Sequence, residues 1–273
     1  MATAFFELGD GGILMPQSAA RAGWGDDHLR GLAVSGALAR AVEAQAATIA
    51  PGLVPVRWSV DLFRPARRAE TTTTVSVVKA GRRLCLIDAV LHQRDRDVAR
   101  ATALLLAPSD TPTADNWNPT LTLSPPPADH PALGHTERLY LTAADRWVTP
   151  DQTPLGTDPT VLWQYPIAVV AGEPLTPFQA AACFADIANA AINIGTAGLQ
   201  FLNADLTLAL SRLPESLDLG MAPVSRTEYS GITTGVAAVF DRAGMVGTVT
   251  MCALENVAHT VNIRRLGDWT GTA

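Results

Sequence analysis

The chain has 273 residues, of which 48% are hydrophobic and 17% are charged. This composition is typical of a globular protein with a sizeable core and excludes a disordered chain. The formal net charge is −6, and no group of Lys or Arg gathers along one predicted face. The charge distribution therefore excludes nucleic acid as an expected partner.

The cysteines and the apolar segments bear on the cellular compartment. Cys85, Cys183 and Cys252 lie in apolar stretches without CxxC spacing, so we expect free, buried thiols in a reducing compartment. The opening residues MATAFFELGD lack the basic and apolar regions of a signal peptide, and no apolar run reaches about 18 residues. These features predict a cytoplasmic protein without a membrane span.

The first half of the chain is predicted to form a helix followed by four antiparallel strands. Residues 29–50 are rich in Ala and Leu and end before Pro51, which predicts a helix, with Asp26 or Asp27 as its cap. Segments rich in β-branched residues follow and alternate with turn residues. These strand candidates are residues 53–65, 70–81, 82–93 and 97–107.

The second half repeats this order. Residues 137–147 and 160–172 resemble strands, although Pro166 limits the latter to an edge or a bulge. Thr176 and Pro177 open one long helix that Gly195 closes. The turns of the second half recur about 150 residues after those of the first half, which favours a duplicated domain. The strand candidates after this helix are residues 199–214, 217–231, 233–241 and 244–255.

These patterns predict an α+β protein in which each half is a long helix wrapped by an antiparallel sheet. Residues 1–107 would form the N-terminal domain, and residues 138–273 the C-terminal domain. Residues 108–137 carry many Pro, Asp and Thr residues, which disfavour regular structure, and we predict that they link the two domains.

Seven segments of the sequence can be compared with known families. In the first half they are WGDDHLRGLAVSGALARA, DLFRPAR and KAGRRLCLIDAVLHQRDRDVARATALLL. In the second half they are GEPLTPFQAAACFADIAN, LNADLTLALSRLP, RTEYSG and VFDRAGMVGTVTM. Together they resemble the double-hotdog acyl-CoA thioesterases, specifically the acyl-CoA thioesterase II group and its thioesterase-like relatives.

The resemblance implies a tandem hotdog with two continuous sheets and a role in fatty acid metabolism. An acyl-CoA or acyl-carrier thioester would enter between the halves and be hydrolysed without a metal or cofactor. Such relatives often associate further, so a homo-oligomer is an open alternative.

The resemblance also implies site residues. The family's carboxylate falls on Asp205 in LNADLTLAL, and its hydroxyl falls on Thr227, with Ser225 or Ser230 as alternatives. The family's glutamine is missing, and its place is taken by Met251 or Cys252. Two functions follow: hydrolysis by a water that Asp205 activates and Thr227 orients, or non-catalytic binding of acyl-CoA or lipid.

Further polar residues are candidates for substrate binding. Asp186, Asn189 and Asn193 follow i, i+3 and i+7 spacing on the second predicted helix, so they form one polar stripe. The stripe would line the substrate channel or hydrogen-bond the sheet edges, and Asp186 is the reserve candidate for the carboxylate. The helix N-terminus at Arg30 and Gly31, or that at Pro177 and Phe178, would polarise the thioester carbonyl.

The segment GWGDDHL places His28 among the candidate substrate-binding residues, together with Gly31. It superficially resembles the acid and histidine pair of hotdog hydratases. Asp27 and His28 are adjacent in sequence, however, which is the wrong spacing for that pair. A hydratase is therefore the least favoured alternative. No G-x-S-x-G motif is present, which argues against a serine hydrolase.

Overall fold

The computed structural model describes residues 3–110, 117, 121–153 and 155–264. Among the described residues of the first half there is one α-helix, α1 (Gly31–Ile49). The strands of this half are β1 (Ala4–Leu8), β2 (Leu14–Pro16), β3 (Arg21–Ala22), β4 (Gly25–Leu29), β5 (Val54–Asp61), β6 (Thr72–Ala80), β7 (Leu84–Gln93) and β8 (Arg96–Leu106).

The second half contains the helices α2 (Pro177–Ala185) and α3 (Ala188–Asn193). Four strands precede them: β9 (Arg138–Leu141), β10 (Trp147–Val148), β11 (Leu162–Gln164) and β12 (Ala168–Val170). Seven strands follow: β13 (Ile194–Gly195), β14 (Gly198–Leu199), β15 (Phe201–Asn203), β16 (Asp205–Leu210), β17 (Leu219–Tyr229), β18 (Ile232–Asp241) and β19 (Gly244–Glu255).

One antiparallel sheet runs through both halves of the described chain. Its twelve strands follow the order β10-β9-β11-β17-β18-β19-β16-β5-β8-β7-β6, with β15 paired to β19 beside this path. The halves join where β5 pairs with β16, from Asp61 opposite Asp205 to Arg57 opposite Ala209. The continuous sheet that the resemblance implied is therefore present.

Helix α1 is rich in small apolar residues, and most of these are buried. It packs against β6, β7 and β8 of its own half and against α2 of the other half. Strand β7 turns its alternate residues inward, as its period-two pattern requires. Its buried apolar side chains are those of Cys85, Ile87, Ala89 and Leu91.

The contact between α1 and α2 is close and partly polar. The Ser35 hydroxyl donates to the carbonyl of Ala182 at 2.6 Å and accepts from the Trp58 indole at 2.9 Å. A Cβ atom at Gly36 would lie 2.5 Å from Cys183 Sγ and 3.0 Å from a methyl group of Val169. The absence of a side chain at Gly36 therefore lets the two helices approach.

The predicted helix caps have different outcomes. Thr176 caps α2, since its side chain accepts from the amide of Gln179 at 3.1 Å, as predicted. The caps predicted for α1 are wrong, because Asp26 and Asp27 lie in β4 and the residue before α1 is Arg30, which makes no side-chain cap. Both aspartates form ion pairs with arginines instead.

The second helix is shorter than predicted. The sequence pattern predicted one long helix from Thr176 to Gly195, but α2 ends at Ala185 and α3 begins only at Ala188. Between them the amide of Ile187 bonds the carbonyl of Phe184 at 2.9 Å, an i→i−3 bond that tightens the turn. Asp186 and Ile187 keep right-handed helical dihedral angles in this turn, and the single long helix predicted for the second half is replaced by two short ones.

Other predictions from the sequence concern the strands, the linker and the membrane. Pro166 separates β11 from β12, and β12 leaves the main sheet to pair with β1. Residues 111–116 and 118–120 of the predicted linker lie outside the described residues, and the remainder forms turns and irregular structure. In the described part of the chain, every helix is too short or too polar to cross a membrane.

Substituting Gly36→Ala should destabilise the protein by about 1–3 kcal/mol, because the added methyl group overpacks the contact between α1 and α2. Urea unfolding followed by circular dichroism measures this change. In a Cys183→Ala background the same substitution should cost less, since the sulfur atom that meets the new methyl group is gone. An equal cost in both backgrounds would contradict this packing account.

Candidate active site

A cavity of about 560 Å³ opens between the two halves. The first half contributes the segment around β3 and β4, the first turn of α1 and the chain after β5. The second half contributes the start of β9, the junction of α2 and α3, and the ends of β15 and β19. Much of the wall is apolar, with side chains that include Leu32, Val34, Leu62, Ile187, Leu199 and Val261.

Asp186 lies in the wall of this cavity, at the junction of α2 and α3. Its Oδ1 atom accepts a hydrogen bond of 2.6 Å from Asn203 Nδ2. The carboxylate also lies directly against the first turn of α1, where a Cβ atom at Gly31 would overlap it. Only glycine at position 31 leaves room for this carboxylate beside the helix N-terminus.

The surroundings of Asp186 act on the pKa of its carboxyl group in opposite directions. The side chain is half-buried and reaches the cavity from deep within the protein, and this burial raises the pKa of the carboxyl above its usual value. The hydrogen bond from Asn203, the charges of Arg30 and Arg138 and the amide of Leu32 act in the opposite direction without cancelling the rise. Asp186 is thus a carboxyl group with increased affinity for a proton, next to a helix N-terminus.

Arg30 and Glu137 form an ion pair in the same wall. Both terminal nitrogens of Arg30 bond the carboxylate, at 2.7 and 2.9 Å, and the two side chains are 12% and 22% exposed. Arg138 Nη2 lies 3.7 Å from the same carboxylate, and Arg138 Nε donates to Gln164 Oε1 at 2.9 Å. Burial alone would raise the pKa of Glu137, but the charge and hydrogen bonds of Arg30 and the charge of Arg138 hold it below its usual value.

His28 also lines the cavity and is half-buried. Burial, together with the nearby charges of Arg67 and His259, lowers the pKa of its imidazole despite the proximity of Asp27. Among the described residues its Nδ1 atom is buried without a hydrogen-bond partner. His28 therefore contributes a mainly neutral ring to the wall at neutral pH.

The polar stripe of Asp186, Asn189 and Asn193 lies partly in the cavity wall and partly against the sheet. Asp186 and Asn189 line the cavity, and Asn189 also donates to the carbonyl of Phe201 at 2.8 Å. Asn193 lies outside the cavity wall. Its side chain donates to Asn189 and accepts from Arg226 and Thr233 on the sheet. The first part of the stripe faces the cavity, and the last part ties the helix to the sheet.

Of the residues that the sequence suggested, the cavity brings together His28, Gly31, Asp186 and Asn189. It does not bring in Asp205, whose Oδ1 atom accepts from the amide of Cys252 at 2.7 Å. The reason is a break at Ala204 between β15 and β16, which ends the regular alternation. Asn203, before the break, lines the cavity, and Asp205, after it, does not.

Three more predicted residues lie outside the cavity wall. Thr227 is exposed on β17 and shares a hydrogen bond of 3.0 Å with Thr234 on β18. Met251 is only 2% exposed and packs in the core, with its sulfur 3.8 Å from Asn193 Nδ2. Cys252 is exposed, which corrects the expectation of a buried thiol, whereas Cys85 and Cys183 are buried as predicted.

Of the polar residues around Asp186, the sequence analysis missed Asn203, Glu137 and Arg138, and it named Arg30 only as part of a helix N-terminus. Asn203 lies within the LNADLTLAL motif, but the motif gives no sign of the break that separates it from Asp205. Arg30 precedes a helix and Glu137 and Arg138 follow an irregular segment, so no periodic pattern marks them. Only the tertiary structure brings residues 30 and 137 into contact.

Models of two known protein domains match this chain. The model of the acyl-CoA thioesterase N-terminal domain matches residues 20–106, and that of the acyl-CoA thioesterase C-terminal domain matches residues 108–254. The two matches cover most of the chain, which therefore belongs to the acyl-CoA thioesterase family. Membership supports hydrolysis of acyl-CoA thioesters as its function and does not favour the non-catalytic alternative. No match was found among curated proteins.

Solved structures show the same fold. The tesB protein of Mycobacterium avium subs paratuberculosis is 18% identical, with a TM-score of 0.61 over 84% of this chain and 87% of that one. Acyl-CoA thioesterase II TesB2 from Mycobacterium marinum is 15% identical, with a TM-score of 0.59 over 84% and 91%. A protein with a hot dog fold from Alicyclobacillus acidocaldarius is 16% identical, with a TM-score of 0.63 over 90% and 94%. The chain has the hotdog fold.

Substituting Gly31→Ala should lower kcat/KM for acyl-CoA by about 100-fold or more, because the methyl group displaces the Asp186 carboxylate from the helix N-terminus. Release of CoA measured with a thiol reagent tests this. The matched control is Gly195→Ala, where a Cβ atom meets no neighbour within 4 Å. Full activity in the Gly31→Ala protein would show that this close contact is unimportant.

The raised pKa of Asp186 also has a consequence for stability. Above the normal carboxyl pKa of about 4, the folded state holds this proton more tightly than the unfolded state, so the contribution of Asp186 to stability falls as pH rises. Asp186→Asn should therefore raise Tm at about pH 8, with a gain that shrinks towards about pH 4. Thermal unfolding at several pH values measures this, and a lower Tm for the variant at high pH would be the contrary result.

Proposed function

We propose that this protein hydrolyses acyl-CoA with Asp186 as the general base. The observation that carries the proposal is the position of this carboxylate, in the cavity wall and against the first turn of α1. A general base must reach a water molecule, and an acyl carbonyl must be polarised at the same place. Asp186 supplies the first requirement and the N-terminus of α1 supplies the second.

The reaction would proceed in two steps. Asp186 removes a proton from water while the oxygen attacks the thioester carbonyl, and the negative charge that develops on the carbonyl oxygen is stabilised by the amides and dipole of the first turn of α1. The tetrahedral intermediate then collapses, the carbon–sulfur bond breaks, and the CoA sulfur receives the proton from Asp186. The products are a free carboxylic acid and CoA.

Asn203 is proposed to orient the base. Its amide holds Oδ1 of Asp186 at 2.6 Å, and this leaves Oδ2 to engage water. It takes the orienting role that the family resemblance assigned to Thr227. Asn189, 4% exposed and in the cavity wall, supplies a side-chain amide near the site in place of the missing family glutamine.

The setting of the reaction is part of the same proposal. The apolar wall suits an acyl chain, and CoA rather than a carrier protein is the proposed head group because the family models name acyl-CoA. We retain the division into hotdogs at 1–107 and 138–273 with a linker at 108–137. A cytoplasmic location and a role in fatty acid metabolism also remain predictions from the sequence.

Two matched substitutions test the choice of carboxylate. Asp186→Asn should lower kcat by about 10²–10⁴-fold, since the general base is lost while the shape of the side chain is kept. Asp205→Asn should cost far less, because its carboxylate binds the amide of Cys252 outside the cavity wall. Assays over a panel of acyl-CoA chain lengths with a thiol reagent measure both.

The opposite ranking would return the catalytic role to Asp205. Binding of acyl-CoA by the unmodified protein without any release of CoA would instead favour the non-catalytic alternative. Circular dichroism of both variants checks that the fold is retained.

A further inference from the structure

Four charged side chains meet in one wall of the cavity. Arg30, Glu137, Arg138 and Asp186 all line it, and together they comprise two positive and two negative charges when ionised. Arg30 and Glu137 are joined by two hydrogen bonds, whereas the Asp186 carboxylate accepts from two neutral amides, the side chain of Asn203 and the backbone of Leu32. The charges are thus balanced overall but distributed unequally between the two carboxylates.

The position of Arg30 is unfavourable on grounds of helix stability alone. It is the residue immediately before α1, where the helix dipole presents its positive end. A cation is destabilising there, and its burial adds a desolvation cost. Glu137 compensates for both, but a neutral residue at position 30 would avoid the cost altogether.

We propose that the Arg30–Glu137 pair consists of positioning residues that set the basicity of Asp186. This rests on the proposed function, in which Asp186 is the base. Glu137 holds the guanidinium fork of Arg30 in a two-bond geometry, so that Arg30 acts on Asp186 as a nearby charge and not as a bidentate partner. Asp186 is kept ionised enough to act, yet its oxygens stay basic enough to take a proton from water.

The other groups around Asp186 complete this electrostatic account. Arg138 at the start of β9 adds a second positive charge, and the Cys183 thiol of α2 stays protonated because burial raises its pKa to about 12. The amide of Leu32 in α1 and the side chain of Asn203 in β15 donate to the carboxylate. His28 and His259 lie in the same cavity wall. Of these groups, only the Arg30–Glu137 pair joins opposite charges through two hydrogen bonds.

The proposal predicts pH shifts of opposite sign for the two partners. In Glu137→Gln, Arg30 loses its counter-charge and acts fully on Asp186, so the acid limb of kcat/KM should move down by about one pH unit. The plateau should also fall, because a weaker base accepts the proton less readily. In Arg30→Gln, Glu137 loses its two-bond partner and keeps only the more distant charge of Arg138, so its negative charge acts on Asp186 and the acid limb should move up by about one pH unit.

Two further variants separate this effect from a loss of structure. Arg30→Lys keeps the charge and should restore most of the acid limb, although not the two-bond geometry. The matched control is the Arg40–Glu173 pair, which also joins α1 to the second half by two hydrogen bonds but lies outside the cavity wall. Arg40→Gln and Glu173→Gln should leave the acid limb where it is.

The deciding experiment is the pH dependence of kcat/KM for these variants, together with a carbon-13 NMR titration of Asp186 assigned by Asp186→Asn. Opposite shifts of the Asp186 titration in the two Gln variants support the proposal. Shifts of the same sign, or none, overturn it. Where a Gln variant fails to fold, Glu137→Asp and Arg30→Lys are titrated, and an Asp186 titration unchanged in both overturns the proposal as well.

The NMR arm also distinguishes the two levels of inference. If the Asp186 titration shifts as expected but Asp186→Asn remains fully active, the proposed function fails while the electrostatic coupling stands. If Asp186→Asn is inactive but the titration of Asp186 is unchanged by substitutions at Arg30 and Glu137, the coupling fails while the proposed function stands.

Discussion

The structure of the site depends on the close approach of a carboxylate to the start of a helix. Asp186 of the second half lies against Gly31 of the first, and no larger residue fits between them. The positive end of α1 and the buried surroundings act on the same group in opposite directions. The result is a carboxyl group in a cavity between the halves that binds its proton more tightly than usual.

The rest of the fold serves to hold these two elements together. Strands β5 and β16 join the halves into one sheet, and α1 and α2 pack closely at Gly36 and Cys183. Glu43 of α1 accepts hydrogen bonds of 2.8 Å from both Thr176 and Gln179 at the start of α2. Each contact links residues distant in sequence, so the cavity exists only when both halves are folded.

The resemblance to a family and the residue pattern contributed differently to the site. The polar stripe on the second helix led to Asp186 and Asn189, and one of the two helix N-termini suggested for the thioester carbonyl, that at Arg30 and Gly31, lies in the cavity wall. The family motif led instead to Asp205 and Thr227, which the structure places outside the cavity wall. The stripe follows helical periodicity, which residue types reveal, whereas the motif was assigned through a strand whose break at Ala204 leaves no mark on residue type.

The sequence by itself determined the α1 helix, the four strands after it, their recurrence in the second half and the family. These features follow from local periodicity and turn residues, which act over a few positions. Only the tertiary structure decided that the second helix breaks at Asp186, that Asn203 and not Asp205 faces the cavity, and that Glu137 holds Arg30. These are matters of packing and charge between residues far apart in the sequence, such as Arg30 and Glu137, which are 107 positions apart, and such contacts have no local pattern.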